Sequence, residues 1–239
     1  MPTLRPFLLC LILVFINASS TNGLQAQRRV KQTPEVVEAY RVCQRFERLL
    51  GENLDFARAY EAAFTENKAR RRAIAMADGE FGDQDFASLD DALLIKAYKL
   101  RMQIFYLTIP LAGPGNEEAA LFFPPNIKEI LQREAPHDPR EFPAYVSQLE
   151  HDAASYRSHL ERLATNYPSV AGRISKFKAE ALSASFLPPN EYKVEPIRGY
   201  YRSGVLGKDE PYYEINGYIV ARDRGKMRIV GIRFFNRLF

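Results

Sequence analysis

YIVARDRGKMRIVGIRFF, Tyr218 to Phe235, is the stretch that decides the fold class. Apolar and polar residues alternate on either side of Asp223-Arg224-Gly225-Lys226, and glycine at the second central position favours a two-residue hairpin turn. Counting outward from that turn sets Arg222 against Met227, Val220 against Ile229, Tyr218 against Gly231 and Asn216 against Arg233. Alternation then sorts Tyr213, Ile215, Ile219, Ala221, Val230, Ile232 and Phe234 onto a core face. Tyr212, Glu214, Asn216, Tyr218, Val220, Arg222, Met227, Ile229, Arg233 and Phe235 fall on a mixed one. A bulge would flip part of that partition. An upstream segment, Tyr192–Arg202, supplies a third strand, and three strands on a helical body are stable where a lone hairpin is not.

Working back from the hairpin, the rest of the chain reads as helix. Thr33 caps a first helix, with Pro34 and Glu35 in its first turn, running to Leu50. A second helical stretch spans about Asp55 to Ala77, and its Arg70-Arg71-Arg72 run points three ways, as on a solvated helix face. From Leu89 to about Ile109 two apolar stripes mark a central helix packed on more than one side, with Ser88 as its expected cap. A short helix follows at about Pro125 to Ala135. Between Asp138 and Ala184, Val146, Leu149, Ala153, Tyr156, Leu160, Leu163 and Tyr167 keep a heptad seam up to Pro168. Asn166-Tyr167-Pro168 makes an antiparallel helical hairpin the better reading than one kinked rod assembling between chains. The expected fold is therefore α+β: a mostly helical region over 27–189, and a C-terminal three-stranded antiparallel sheet over 190–239.

The first residues set an expectation of export. MPTLRP precedes the apolar run Phe7–Ile16, which as a helix would span about 15 Å against roughly 30 Å of hydrocarbon. That length suits a secretory signal peptide over 1–26, cleaved after Ala26 or, as the alternative, after Ala18. Its loss takes the net charge from +4 to +3 and leaves Cys43 as the single cysteine, so the mature chain makes no internal disulfide. Cys43 lies on the apolar stripe of the first helix, where a buried inert thiol is expected. The expected location is secreted or periplasmic, with no membrane span in the mature chain. A mild charge and export together argue against nucleic acid as a partner.

The acidic stretch Asp78–Asp91 lacks calcium-loop spacing, because Leu89 stands where the closing bidentate acid belongs. Glu134 and His137 spell a bundle metal pair, but Pro136 interrupts the helix and no second copy exists. Asp152, Ser155 and His159 spell a triad, yet their helical spacing puts the extremes roughly 10 Å apart, too far for relay contacts. His151 and His159 are about 12 Å apart and share no metal. No cofactor, metal or catalytic residue is assigned, and enzymatic activity is left undecided.

GYIVARDRGKMRIVGIRFF resembles the last hairpin of NTF2-like α+β domains, in which a glycine-bearing turn joins two long strands. The likeness covers under a tenth of the chain. It implies the sheet ending and nothing about activity.

Residues 193–239 hold ten Lys/Arg, five Asp/Glu and eight aromatics, a composition that grips anionic or polymeric partners. The functional expectation is thus an exported, non-catalytic binding protein of the cell envelope, taking an unknown protein or anionic ligand. Tyr218, Arg222, Arg233 and Glu214 on the mixed face are its candidate binding residues. Two alternatives are an enzyme with a pocket between helical body and sheet, and a structural homo-oligomer built through the heptad helices.

Overall fold

The computed structural model describes residues 33–78, 88–108, 123–182, 196–199, 204–215 and 217–232. They form an α+β fold: helices α1 (Pro34–Asn53), α2 (Phe56–Ala63), α3 (Lys68–Asp78), α4 (Asp91–Thr108), α5 (Ile127–Gln132), α6 (Phe142–Asn166) and α7 (Pro168–Leu182), then a sheet at the C-terminal end. A short 3-10 turn, Pro139–Glu141, leads into α6. The signal-peptide reading of residues 1–26 falls outside the described residues. Among the described residues, no helix is long and apolar enough to cross a membrane.

The sheet has four antiparallel strands in sequence order, one more than the sequence led us to expect. They are β1 (Ile197–Arg198), β2 (Pro211–Ile215), β3 (Tyr218–Asp223) and β4 (Lys226–Ile232). The extra strand arises because Tyr212–Arg222 is not continuous. Ile215 pairs with Tyr218, and Gly217 before it has φ 84°. Asn216-Gly217 spells the strongest short hairpin signal there is, and it separates β2 from β3. The next turn follows the expected pattern: Arg224 (φ 50°) and Gly225 (φ 84°) link Asp223 to Lys226, with both central residues left-handed.

Register then departs from a simple count. Arg222 faces Met227 and Val220 faces Ile229, but a bulge between Ile219 and Val220 sets Tyr218 against Ile232 rather than Gly231. Because Tyr213 also pairs with Val220, one face gathers Tyr213, Ile215, Tyr218, Val220, Met227, Ile229 and Ile232. All are buried, so the strands taken as a core face and a mixed face regroup into a face packed on α1. Met227, Ile229 and Val220 thus belong to the core.

Helix α1 is the keystone. Thr33 caps it, accepting from Val36 N, and Val36, Tyr40, Cys43, Phe46 and Leu50 form its buried stripe. The Phe46 ring centroid lies 5.8 Å from Phe56, 5.4 Å from Phe64 and 5.6 Å from Tyr218, joining helices and sheet in one aromatic cluster. Below it α4 packs on α2, α3 and α6, buried on more than one side as its two stripes require. The cap of α4 is Asp90, whose carboxylate accepts from Ala92 N, so the helix starts two residues after the expected Leu89.

The second expected helix is broken. Phe64 leaves α2 in extended geometry and makes a parallel bridge to Ile229, with Thr65 N donating to Ile229 O at 3.0 Å. Asn67 then caps α3 through Arg70 N. This segment covers the outer edge of β4, which would otherwise offer unpaired backbone groups. Arg70 does not stand free on a solvated face: it donates to Arg222 O and pairs with Glu210, while Arg71 reaches Glu61 and Arg72 reaches Asp91.

The helical hairpin forms as the Asn166-Tyr167-Pro168 break implies, with α6 against α7. Its seam residues Val146, Leu149, Ala153, Tyr156 and Leu160 are buried within the chain, where α6 packs on α4.

Candidate functional site

Seen from outside, α1 shows an arginine stripe. Arg41, Arg45 and Arg48 are exposed and recur at helical spacing on the side away from the core. Arg48 pairs with Glu52 one turn on. Beside Arg45 a cavity of about 220 Å³ opens between α1, α2 and the start of β4. Glu38, Val42 and Arg45 line it from α1, and Ala62 and Ala63 from α2. Lys226, Met227 and Arg228 complete it from β4. The floor is apolar and the rim is charged.

Each charged group on that rim can be followed to its partners. Glu38 Oε1 accepts from Met227 N at 3.3 Å, in the place a neighbouring strand's carbonyl would take on an open sheet edge. Its other oxygen lies 3.8 Å from the Arg222 guanidinium. Arg228 donates to Ala62 O at 3.0 Å and pairs with Glu66. Arg45 and Lys226 have no hydrogen bond or ion pair to any described residue. The groove therefore offers two uncommitted cations above an apolar floor, beside an acid already occupied.

Arg222 borders the groove. It donates to Gly225 O at 2.9 Å and to Glu35 Oε1 at 3.1 Å, and Tyr213 donates its hydroxyl to Glu35 Oε2 at 3.0 Å. The hydrogen bonds from Arg222 and Tyr213 hold the Glu35 carboxyl below its usual range.

Of the residues picked out from the sequence, Tyr218 and Arg222 share a face and Glu214 does not. Tyr218 is 2% exposed and faces α1, its hydroxyl donating to Glu47 Oε1 at 2.8 Å. Arg222, on the same face, is half-exposed at the end of the strand. Glu214 pairs with Ile219 and so lies on the opposite face of the sheet. Arg233 lies outside the described residues. Glu38, Arg45, Ala62 and Lys226 were not singled out, although Arg41, Arg45 and Arg48 show their helical spacing in the sequence. What could not be seen was that α2 and β4 meet that stripe.

The triad spelled by Asp152, Ser155 and His159 is taken apart by the structure. Asp152 is buried and accepts from Arg133 Nε at 2.8 Å and Gln148 Nε2 at 2.9 Å, pinning the segment after α5 to α6. Among the described residues no three His, Cys, Asp or Glu side chains gather as metal ligands. No protein-family model, curated protein or solved structure gives a significant match to this chain. The arrangement at the groove can attract an anion through Arg45 and Lys226, and no histidine, serine or cysteine lines it.

Proposed function

We propose that the chain is a non-catalytic binding protein whose groove between α1, α2 and β4 takes an acidic segment of a protein partner. The observation that carries this reading is the pair of uncommitted cations, Arg45 and Lys226, across an apolar floor of Val42, Ala62, Ala63 and Met227. Cations without internal partners keep their full attraction for an incoming carboxylate, whereas Arg228 and Arg222 are already committed to Glu66 and Glu35.

The test is anisotropy of a fluorescein-labelled hexaglutamate peptide at low salt. The double variant R45E/K226E should weaken binding at least about tenfold, and raising the salt should weaken binding to the unmodified protein. Both positions are exposed, so helix content should be unchanged by circular dichroism. Equal affinity of variant and unmodified protein sinks the groove as the site.

Export belongs to the same proposal, and the apolar run Phe7–Ile16 supports it. The intact mass of the protein from its native source should correspond to a chain beginning at Gln27. A mass retaining Met1–Ala26 would place the protein elsewhere.

A further inference from the structure

Among the described residues, Glu47 is the acid of α1 without a cation. Glu35 and Glu38 have Arg222, and Glu52 has Arg48. Glu47 has one donor, the Tyr218 hydroxyl at 2.8 Å. Among the described residues, its surroundings offer no charge of opposite sign. Cys43, one turn earlier on α1, is a buried neutral thiol, and Tyr218 of β3 and Tyr106 of α4 are buried phenols. On α2, Arg58 is bound to Asn53 and Glu61 sits between Arg71 and Lys99. Helix α7, also packed on α1, carries Arg173, Lys176 and Lys178, yet the influences on the Glu47 carboxyl are burial and the Tyr218 hydroxyl. On the strands, Arg228 is taken by Glu66, Arg222 by Glu35, Lys226 lies at the turn, and Glu214 points to the other face.

Burial without a cation disfavours the ionised form, and it pushes the Glu47 carboxyl up to about 7 against the opposing hydrogen bond from Tyr218. In an opened α1 the carboxyl returns to the usual range near 4.5. The folded group thus binds its proton more tightly than the opened one. Its contribution to holding α1 down is complete below about pH 4.5 and is lost as pH rises through 7.

We propose that Glu47 is a proton-operated latch: neutral, it holds the C-terminal half of α1 on Tyr218; ionised, it loosens that half from the sheet. The latch lies at the junction of α1, β3 and α4, so its release acts on α1 without touching the α4–α6 contact. It stands independently of what the groove binds.

Hydrogen exchange of the full chain between pH 5 and pH 8, corrected for the intrinsic pH dependence of exchange, tests it. Amides of residues 43–53 should lose protection by about 50-fold across that range, while those of 149–160 in α6 should not. E47Q should flatten the profile of 43–53. Tyr218→Phe removes the group that favours ionisation, so it should move the midpoint to higher pH, an effect that lost packing alone would not produce. Coincident profiles for E47Q and the unmodified protein, or equal loss in α1 and α6, overturn the proposal. Should E47Q fail to fold, the direction of the Tyr218→Phe midpoint decides.

Discussion

Replacing Asp223 by alanine should lower the unfolding free energy by about 3–4 kcal/mol. Asp223 is 7% exposed, and its Oδ2 accepts from the Thr65 hydroxyl, from Glu66 N at 2.9 Å and from Asn67 N at 3.3 Å. One carboxylate at the β3–β4 turn thus gathers the donors of the segment that joins α2 to α3. Leaving a buried donor unpaired costs about 1–3 kcal/mol, and donors bonded to a charged acceptor sit at the upper end. Three donors would add to more, but water reaches the backbone amides of this half-exposed segment and offsets part of the loss. Burial pushes the Asp223 carboxyl up, and the bonds from Thr65, Glu66 and Asn67, with the nearby Arg70 charge, outweigh it and hold the carboxyl below its usual range. A depressed acid stabilises the fold above its unfolded pKa and loses that contribution as pH falls below about 4. Urea unfolding at pH 7 and pH 3 should therefore show a large difference between D223A and the unmodified protein at pH 7 and a smaller one at pH 3. A loss under about 1 kcal/mol at pH 7 would show that the clamp is ornamental.

The second large effect is expected at Gln103, in the middle of α4. Its Oε1 accepts from Phe56 N at 2.7 Å, and its Nε2 donates to Leu54 O at 2.8 Å. Leu54 is the left-handed residue (φ 49°) that ends α1, and Phe56 opens α2. A single buried amide thus satisfies both sides of the α1–α2 corner. Gln103→Leu keeps the volume and removes both bonds, leaving Phe56 N without its acceptor in a buried place, at a cost of about 3 kcal/mol. Leu54 O retains the Arg157 guanidinium, 3.1 Å away on α6. Arg157→Ala alone should then cost under about 1 kcal/mol, and the double variant more than the sum, because only then is the carbonyl abandoned. Additive losses in that cycle would mean the two donors do not share the carbonyl.

Where helix and strand lie was legible wherever the signal was local. Thr33-Pro34, Arg224-Gly225 and the Asn166-Tyr167-Pro168 break each carry their structure in adjacent residues. Asn216-Gly217 carried an equally local signal that the alternation of Tyr212–Arg222 obscured, since a continuous strand and two short ones share that pattern. The bulge between Ile219 and Val220 is a different matter. Gly231 beside the unopposed Val230 is a local hint of a bulge, but its place follows from how β3 pairs with β4 and not from alternation. The same holds for the break at Phe64–Asn67, where the competing partners, Ile229 and Asp223, lie more than 150 residues away in the sequence. The groove was illegible for that reason as well: its arginine stripe is local, but its other walls come from α2 and from the far end of the chain.

The bridge from Phe64 to Ile229 also has a consequence for the order in which this protein can be made. A ribosome adding about 5–20 residues each second finishes α1 and α2 roughly ten to thirty seconds before it reaches β4. Throughout that interval Phe46, Phe56 and Phe64 have no sheet to close over them, and the carboxylates of Glu35 and Glu38 have no Arg222. The nascent amino-terminal third is therefore a client for any chaperone that reads exposed aromatics, and the last strands synthesised complete the interior of the first helices.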